Sequence, residues 1–299
     1  MKTKLIALIV YFLIVSVQLV EAKPKALLRL NLEKGDTYQM TLTSDNNIDQ
    51  QMMGQQMKIL QKMEMVSSYK VLDKLADNSY VIEYSFVKMK MDMDVNGQKV
   101  TIDSESTGED VVSKTIKDVT SLKLKFTMNS MGKIQTVEGI DEYKQRIGNN
   151  PQLVQALTML SDENNFKSNF EQYFGFYPEN EIEPGSKWDY SIKMPAMMNM
   201  DMLMHFNVTD IQKDLVVLDT NSDINMDSPM EQNGMKIQLK MTGTQSGTMK
   251  IDRKSGLAGT SDLNQKFDMN MKMKNPQSGE DMEIPMQMNA VTKISTVKI

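Results

Sequence analysis

Cysteine is absent from the 299 residues. That excludes disulfides, a cysteine nucleophile, thiolate metal sites and the acylated N-terminal cysteine of a lipoprotein. One histidine, His205, and one tryptophan, Trp188, are present. A Ser-His-Asp arrangement therefore has a single candidate base, and a multi-histidine zinc centre is out of reach. Neither sign of charge dominates: 34 Lys and Arg stand against 39 Asp and Glu, a net charge of −5. Such a chain has no basic footprint for nucleic acid. Beyond residue 22 no apolar run approaches the roughly 20 residues that span a bilayer as a helix. A chain of this length can nevertheless bury a core that folds without cross-links.

The first 22 residues read as a signal peptide. Lys2 and Lys4 precede an apolar run from Leu5 to Val17, and Val20-Glu21-Ala22 offers small residues at a cleavage site before Lys23. The mature protein is expected to be periplasmic or secreted, with no membrane span after cleavage and no lipid anchor. The alternative is an uncleaved anchor, for which the run is short. Asn207-Val-Thr209 would be a glycosylation acceptor in a eukaryotic secretory pathway.

Methionine is the excess: 30 residues against 23 leucines. Ordering a methionine side chain costs up to about 2 kcal/mol of rotamer entropy against about 0.5–1 for leucine. A core built only for stability favours leucine. The excess fits an adaptable apolar surface, soft-metal ligation, an oxidant sink or a compositional habit of the source genome. Its placement is regular. In Met198-Asn-Met-Asp-Met-Leu-Met-His-Phe206 methionine takes every second position up to Met204. The pattern returns at Met89–Met93, Phe267–Met273 and Met282–Met288. A period of two is the signature of a strand with one apolar face. Met89, Met91, Met93, Met200, Met202, Met204, Met269, Met271, Met273, Met286 and Met288 are the candidate lining of a binding face.

Along the chain the predicted fold is mainly β: long, curved antiparallel sheets, half-barrel or sandwich-like, with a short helical insertion. The divisions are an N-terminal β meander over 23–138, the insertion over 139–178 and a C-terminal β meander over 179–299, the two β parts forming separate units or one continuous domain. In the first meander Gly54, Asp77-Asn78 and Asn96-Gly97 mark turns, the last a strong two-residue hairpin signal. Apolar parity switches between Tyr80, Ile82, Tyr84, Phe86 and Val87, Met89, Met91, Met93, Val95. This predicts a β-bulge near Phe86–Val87. Helices are predicted over 109–119, 140–147, 151–160 and 164–174. The last gathers Phe166, Phe170, Tyr173 and Phe174 on one side, either to pack on a sheet or to lid a cavity. After a polar linker over 178–187, strands are predicted over 194–208, 215–227, 235–241, 248–252, 260–273 and 282–299.

Five elements carry a family resemblance: Lys34-Gly-Asp-Thr-Tyr38; Gly132-Lys-Ile-Gln-Thr-Val-Glu-Gly-Ile-Asp141; Phe174-Gly with Pro184-Gly-Ser-Lys-Trp188; Gly243-Thr-Gln-Ser-Gly-Thr248; and Ile251-Asp-Arg-Lys-Ser-Gly-Leu257. Their order resembles a domain of unknown function found in exported, β-rich envelope proteins of Bacteroidota-type bacteria. The resemblance spans nearly the whole mature chain and implies an envelope address. It carries no activity and no functional residues. Some relatives look like lipoproteins, and this chain departs from them in lacking the cysteine.

Methionines at i and i+2 on neighbouring strands could bring thioethers onto Cu(I), but His205 falls on the parity opposite Met200, Met202 and Met204. Asp219-Thr-Asn-Ser-Asp223 imitates a calcium loop, yet Ile224 stands where glycine is required and Met230 where glutamate is required. No nucleophile elbow is present, Gln245-Ser-Gly247 reading instead as a strand kink, and no carboxylate pair stands out, so no enzyme, cofactor or metal is expected. The leading expectation is a non-enzymatic envelope protein whose methionine faces bind an apolar or lipid-like small molecule or an envelope protein partner. A methionine-based Cu(I) binder and a structural protein with a dry methionine core are the alternatives.

Overall fold

The computed structural model describes residues 23–52, 54–106, 117, 120–147, 163–194, 200–232, 235–274 and 279–299. The expected signal peptide, most of the helix expected over 109–119 and the helix over 151–160 lie outside the described residues.

Alternating side chains become a single sheet. Its strands are β1 (Thr37–Met52), β2 (Gln55–Lys74), β3 (Tyr80–Val95), β4 (Gln98–Asp103), β5 (Lys123–Met128) and β6 (Ile134–Glu138). After helices α1 (Ile140–Ile147) and α2 (Glu163–Phe174) come β7 (Lys187–Met194), β8 (Met200–Ile211), β9 (Leu215–Gln232), β10 (Met235–Asp252), β11 (Ala258–Lys274) and β12 (Asp281–Lys298). The order is β6-β5-β3-β2-β1-β12-β11-β10-β9-β8-β7, with β4 beside β3. β1 pairs with β12 from Tyr38–Lys298 to Gln50–Met286, so the two β-rich halves share one antiparallel sheet. The sheet is open: β6 and β7 are its two ends.

Two predicted boundaries shift. The strand expected over 194–208 divides, because Met194 closes β7 and Met200 opens β8. The residue after Met194 is Pro195, which has no N–H to give a ladder. The strands expected over 235–241 and 248–252 are one strand, β10, whose register with β9 and β11 runs unbroken through Gly243 and Gly247. A Cβ on either glycine would meet a β11 carbonyl, that of Lys266 or Asp262. Glycine here lets β11 lean closely over β10, and pairing continues where a kink was expected.

The parity switch in β3 is a bulge. Val66 pairs with Lys88 and Ser67 with Phe86, which leaves Val87 as the unpaired extra residue, pointing out to solvent. Below it Tyr80, Ile82, Tyr84 and Phe86 are buried; above it Met89 and Met65 sit opposite each other, as do Met91 and Met63. Asn96 and Gly97 both have positive φ, 51° and 90°, the type I′ geometry that joins β3 to β4. Deleting Val87 is expected to remove the bulge and keep every face: Phe86 inward, Lys88 outward and Met89 inward then alternate without the extra residue. Thermal melting and amide exchange over β3 and β4 check this: loss of amide protection from Lys88 onward in the deletion variant would exclude Val87 as the extra residue.

The ends β6 and β7 are bridged by α2, which packs on both. Glu171 accepts from the Ile134 backbone N–H (2.9 Å) and from Lys133 Nζ (3.2 Å) at the start of β6. Lys133 Nζ in turn donates to the Tyr190 hydroxyl on β7 (2.8 Å). Covering two unpaired sheet edges with a helix is a recognised protection against edge-to-edge pairing. At the same end of the sheet as the β5–β6 turn, residues 26–32 form a strap with Ala26, Leu28, Leu30 and Leu32 buried. It is tied by backbone bonds from Leu30 to Ser130 and from Asn31 to Ser255, by a two-way bridge between Ala26 and Ile182, and by the Tyr80 hydroxyl donating to the Leu30 carbonyl.

Candidate functional site

The inner face of the sheet divides into two zones. Near the strap it is aromatic and filled. Phe166 and Phe170 of α2 stack 4.1 Å apart and meet Tyr84 and Phe126; Phe170 also meets Tyr69. Trp188, Phe206 and Phe176 form a second stack, and the Trp188 indole donates to the Phe176 carbonyl (2.8 Å). Beyond these stacks the sheet encloses a cavity of 530 Å3. Strands β1, β2 and β7 to β12 all contribute to its wall, with Tyr173 and Phe174 of α2 forming one side. That strands this far apart in the sheet order border one space shows how strongly the sheet curls. The size falls in the range of roughly 300–1,000 Å3 typical of small-molecule sites.

The wall is mainly apolar and, among the described residues, none that lines it is charged. Methionine supplies Met40, Met63, Met202, Met204, Met241, Met249, Met269 and Met288. Four of these, Met202, Met204, Met269 and Met288, were candidates from the sequence. The other candidates stand elsewhere. Met89 and Met271 are half-buried against the core outside the cavity wall. Met91, Met93, Met273 and Met286 are half-buried on the strand lengths further from the strap. Met200 opens β8 opposite Met194, and its side chain is outside the described set.

Polar groups cross this wall in register. Ser44, Gln245, Gln265 and Thr292 line the cavity, and Asn46 and Gln61 extend the row along β1 and β2. They bond in series. Gln265 Nε2 donates to Gln245 Oε1 (2.6 Å), Thr292 Oγ1 to Gln265 Oε1 (3.4 Å), Ser44 Oγ to Asn46 Oδ1 (2.9 Å) and Asn46 Nδ2 to Gln61 Oε1 (3.2 Å), while the Ser44 and Thr292 hydroxyl oxygens lie 3.3 Å apart, close enough to exchange one of these protons. The sequence reading passed over this belt. Its signal was available as polar residues on the apolar parity of their strands: Ser44 follows Tyr38, Met40 and Leu42, and Gln265 falls between Leu263 and Phe267.

The remaining sequence candidates fall outside the cavity. Asp219, Asn221, Asp223, Asn225 and Asp227 are all exposed along β9 and form the wet face of a strand. His205 faces outward, its Nδ1 2.7 Å from Asp189 Oδ1, opposite the buried Met202 and Met204. At the helix seam, burial works against the Lys133 charge, but hydrogen bonds to Tyr190 and Glu171 outweigh it and hold the ammonium above its usual range. Burial raises the Tyr190 phenol, opposed by Lys133. Both groups are committed to holding α2 in place.

The family of unknown function DUF6263 matches residues 77–258. The chain belongs to this family. The DUF6263 match takes in four of the five elements that carried the resemblance and leaves out Lys34–Tyr38, so it is narrower than the resemblance implied. No curated protein matches the chain. Among solved structures, the DUF6263 chain is similar to the outer membrane protein OprG from Pseudomonas aeruginosa, at 7% identity over 89% of this chain and 97% of that one, with a TM-score of 0.26. It is also similar to OccK7 (OpdD) from the same organism, at 5% identity over 89% and 100%, TM-score 0.21. A third is the translocator domain of the autotransporter NalP from Neisseria meningitidis, at 7% identity over 89% and 90%, TM-score 0.20. Scores of this size establish no shared fold. Among the described residues no helix is long and apolar enough to cross a membrane.

Proposed function

We propose that this protein is a non-enzymatic, exported component of a Bacteroidota-type envelope that holds an apolar or lipid-like molecule in the cavity under its curled sheet. The observation that carries the reading is the 530 Å3 cavity itself, walled by methionine, aromatic and aliphatic side chains with no charge among the described lining residues. A structural protein with a dry methionine core has no use for such a space, because protein interiors pack with few voids larger than a water molecule. Methionine suits the role because its unbranched, polarisable side chain repacks around ligands of different shape. The strap and α2 shut one end and one side, while the half-buried inner methionines near the far hairpins mark the direction of entry.

Native mass spectrometry of the mature chain, purified from an envelope fraction without detergent, tests the reading. The expected result is an adduct of lipid mass that survives desalting and is lost on organic extraction. A clean apo mass, with no uptake of added lipid, would sink it.

One row of side chains favours a second reading. Met226, Met241, Met269 and Met286 stand directly opposite one another across β9 to β12. Neighbouring strands lie about 4.8 Å apart, so these thioethers are spaced to converge on a soft cation such as Cu(I). An adduct of copper mass in the same spectrum would promote that reading.

A further inference from the structure

The polar belt crossing the cavity has two features that a purely apolar site would lack. Its amide donors at both ends finish on sulfur. Gln245 Nε2 points at Met204 Sδ (3.4 Å) and Gln61 Nε2 at Met91 Sδ (2.8 Å). A thioether is a weak acceptor, and a buried amide N–H that finds only a weak acceptor retains much of its desolvation cost. An oxygen placed within reach would be the better partner. Beside Gln245 in register, Ser222 on β9 is 1% exposed and its hydroxyl has no hydrogen-bond partner among the described residues; Thr220 is in the same condition at 2%. The cavity wall thus offers a poorly partnered neutral amide at Gln245, with the Ser222 hydroxyl beside it in register though outside the wall, and among the described residues of the wall nothing of positive charge to receive an anion.

We propose that the belt selects the ligand: the cavity takes an uncharged amphiphile, a lipid whose polar end is a hydroxyl or carbonyl seated at Gln245 and Gln265, with its chain among the methionines. A fatty-acid anion or a phosphate headgroup is disfavoured, because an ionised group carried into an uncharged, largely apolar space loses hydration that neutral amides replace poorly. A neutral hydroxyl or carbonyl loses little and gains the amide N–H that now meets only sulfur. This selectivity rests on the ligand-binding reading above, and the experiment separates the two.

The full mature chain is titrated with 1,6-diphenylhexatriene, a hydrocarbon fluorophore with no polar group, and then with 1-dodecanol or with dodecanoate at pH 8 as competitor. The wild type is expected to bind dodecanol at least about tenfold more tightly than dodecanoate. In the double variant Gln245→Leu, Gln265→Leu both partners of one bond are removed together, so neither is left orphaned. It is expected to lose about tenfold in dodecanol affinity relative to diphenylhexatriene affinity, the ratio of the two being the quantity read. Should that variant melt before it can be titrated, Gln265→Met, close in shape, is expected to give the same split at smaller size. Dodecanol affinity unchanged in folded variants would overturn the belt's role and leave an apolar site standing. Tighter dodecanoate than dodecanol in the wild type would overturn the uncharged class. If neither fluorophore nor alcohol binds the wild type, the binding function itself falls, and this selectivity with it.

Discussion

Replacing Phe170 by alanine is expected to cost about 3–5 kcal/mol, the usual loss for truncating a buried phenylalanine. Phe170 is 5% exposed and stands where four rings meet: it stacks on Phe166 and meets Tyr84 at 4.8 Å, Phe126 at 6.1 Å and Tyr69 at 6.4 Å. The site cannot collapse easily, because β2, β3 and β5 hold three of those rings by ladder bonds that a shift would break. For a protein of this size each kcal/mol is worth roughly 2–4 °C, so differential scanning calorimetry should show melting lower by roughly 6–20 °C. Function should suffer more than stability. The same helix carries Tyr173 and Phe174 on the cavity wall and Glu171 on the seam between β6 and β7. At a temperature where the variant is still folded, diphenylhexatriene affinity should already be reduced. A variant that melts within about 2 °C of the wild type would show that α2 is not the keystone of the fold.

Alkaline pH is expected to unfold the protein steeply. Tyr69, Tyr84 and Tyr177 are buried, at 5%, 2% and 5% exposure, and burial pushes each phenol well above its usual value; a hydrogen bond with Ser67 opposes this at Tyr84. Tyr173, beside the cavity, is pushed up to about 12 by the same cause. In the unfolded chain all of them ionise near pH 10. Between about pH 10 and the raised values the folded chain holds protons that the unfolded chain has released, so stability falls as pH rises. Below pH 10 both states are protonated and the contribution is complete. Each group costs about 1.4 kcal/mol per pH unit in that window, about 4 kcal/mol for the three deeply buried rings together. Urea denaturation at pH 8, 9, 10 and 11, with tyrosinate absorbance read in parallel, checks the sign and the slope. Stability constant through pH 11 would mean that these phenols are solvated, and the aromatic zone would not be the packed core described above.

Much of the architecture was legible because a strand writes its two faces into alternate residues. Tyr80 to Phe86, Leu122 to Met128 and Met202 to Phe206 declare their buried faces with no help from the rest of the chain. Even the bulge at Val87 was legible, since one extra residue must reverse the parity that follows it. The period alone could not say which apolar faces meet. Met89, Met93 and Met273 have the same pattern as Met202 and Met204, yet only the last two border the cavity. Strand order and curl decide that, and both depend on pairings between residues as distant as Tyr38 and Lys298.

By itself the sequence determined a mainly β chain, the inner face of each strand, the principal turns and an interior without cysteine or metal-binding histidines. Those follow from local properties: the two-residue period, the positive φ that Asn96-Gly97 accepts, and composition. The tertiary structure alone decided that one open sheet curls around a cavity, that α2 spans the seam between β6 and β7, and that polar residues scattered from Ser44 to Thr292 line up as one belt. The physical reason is that backbone hydrogen bonds set strand neighbours. Side-chain alternation says only which face points inward, never which strands will share that interior.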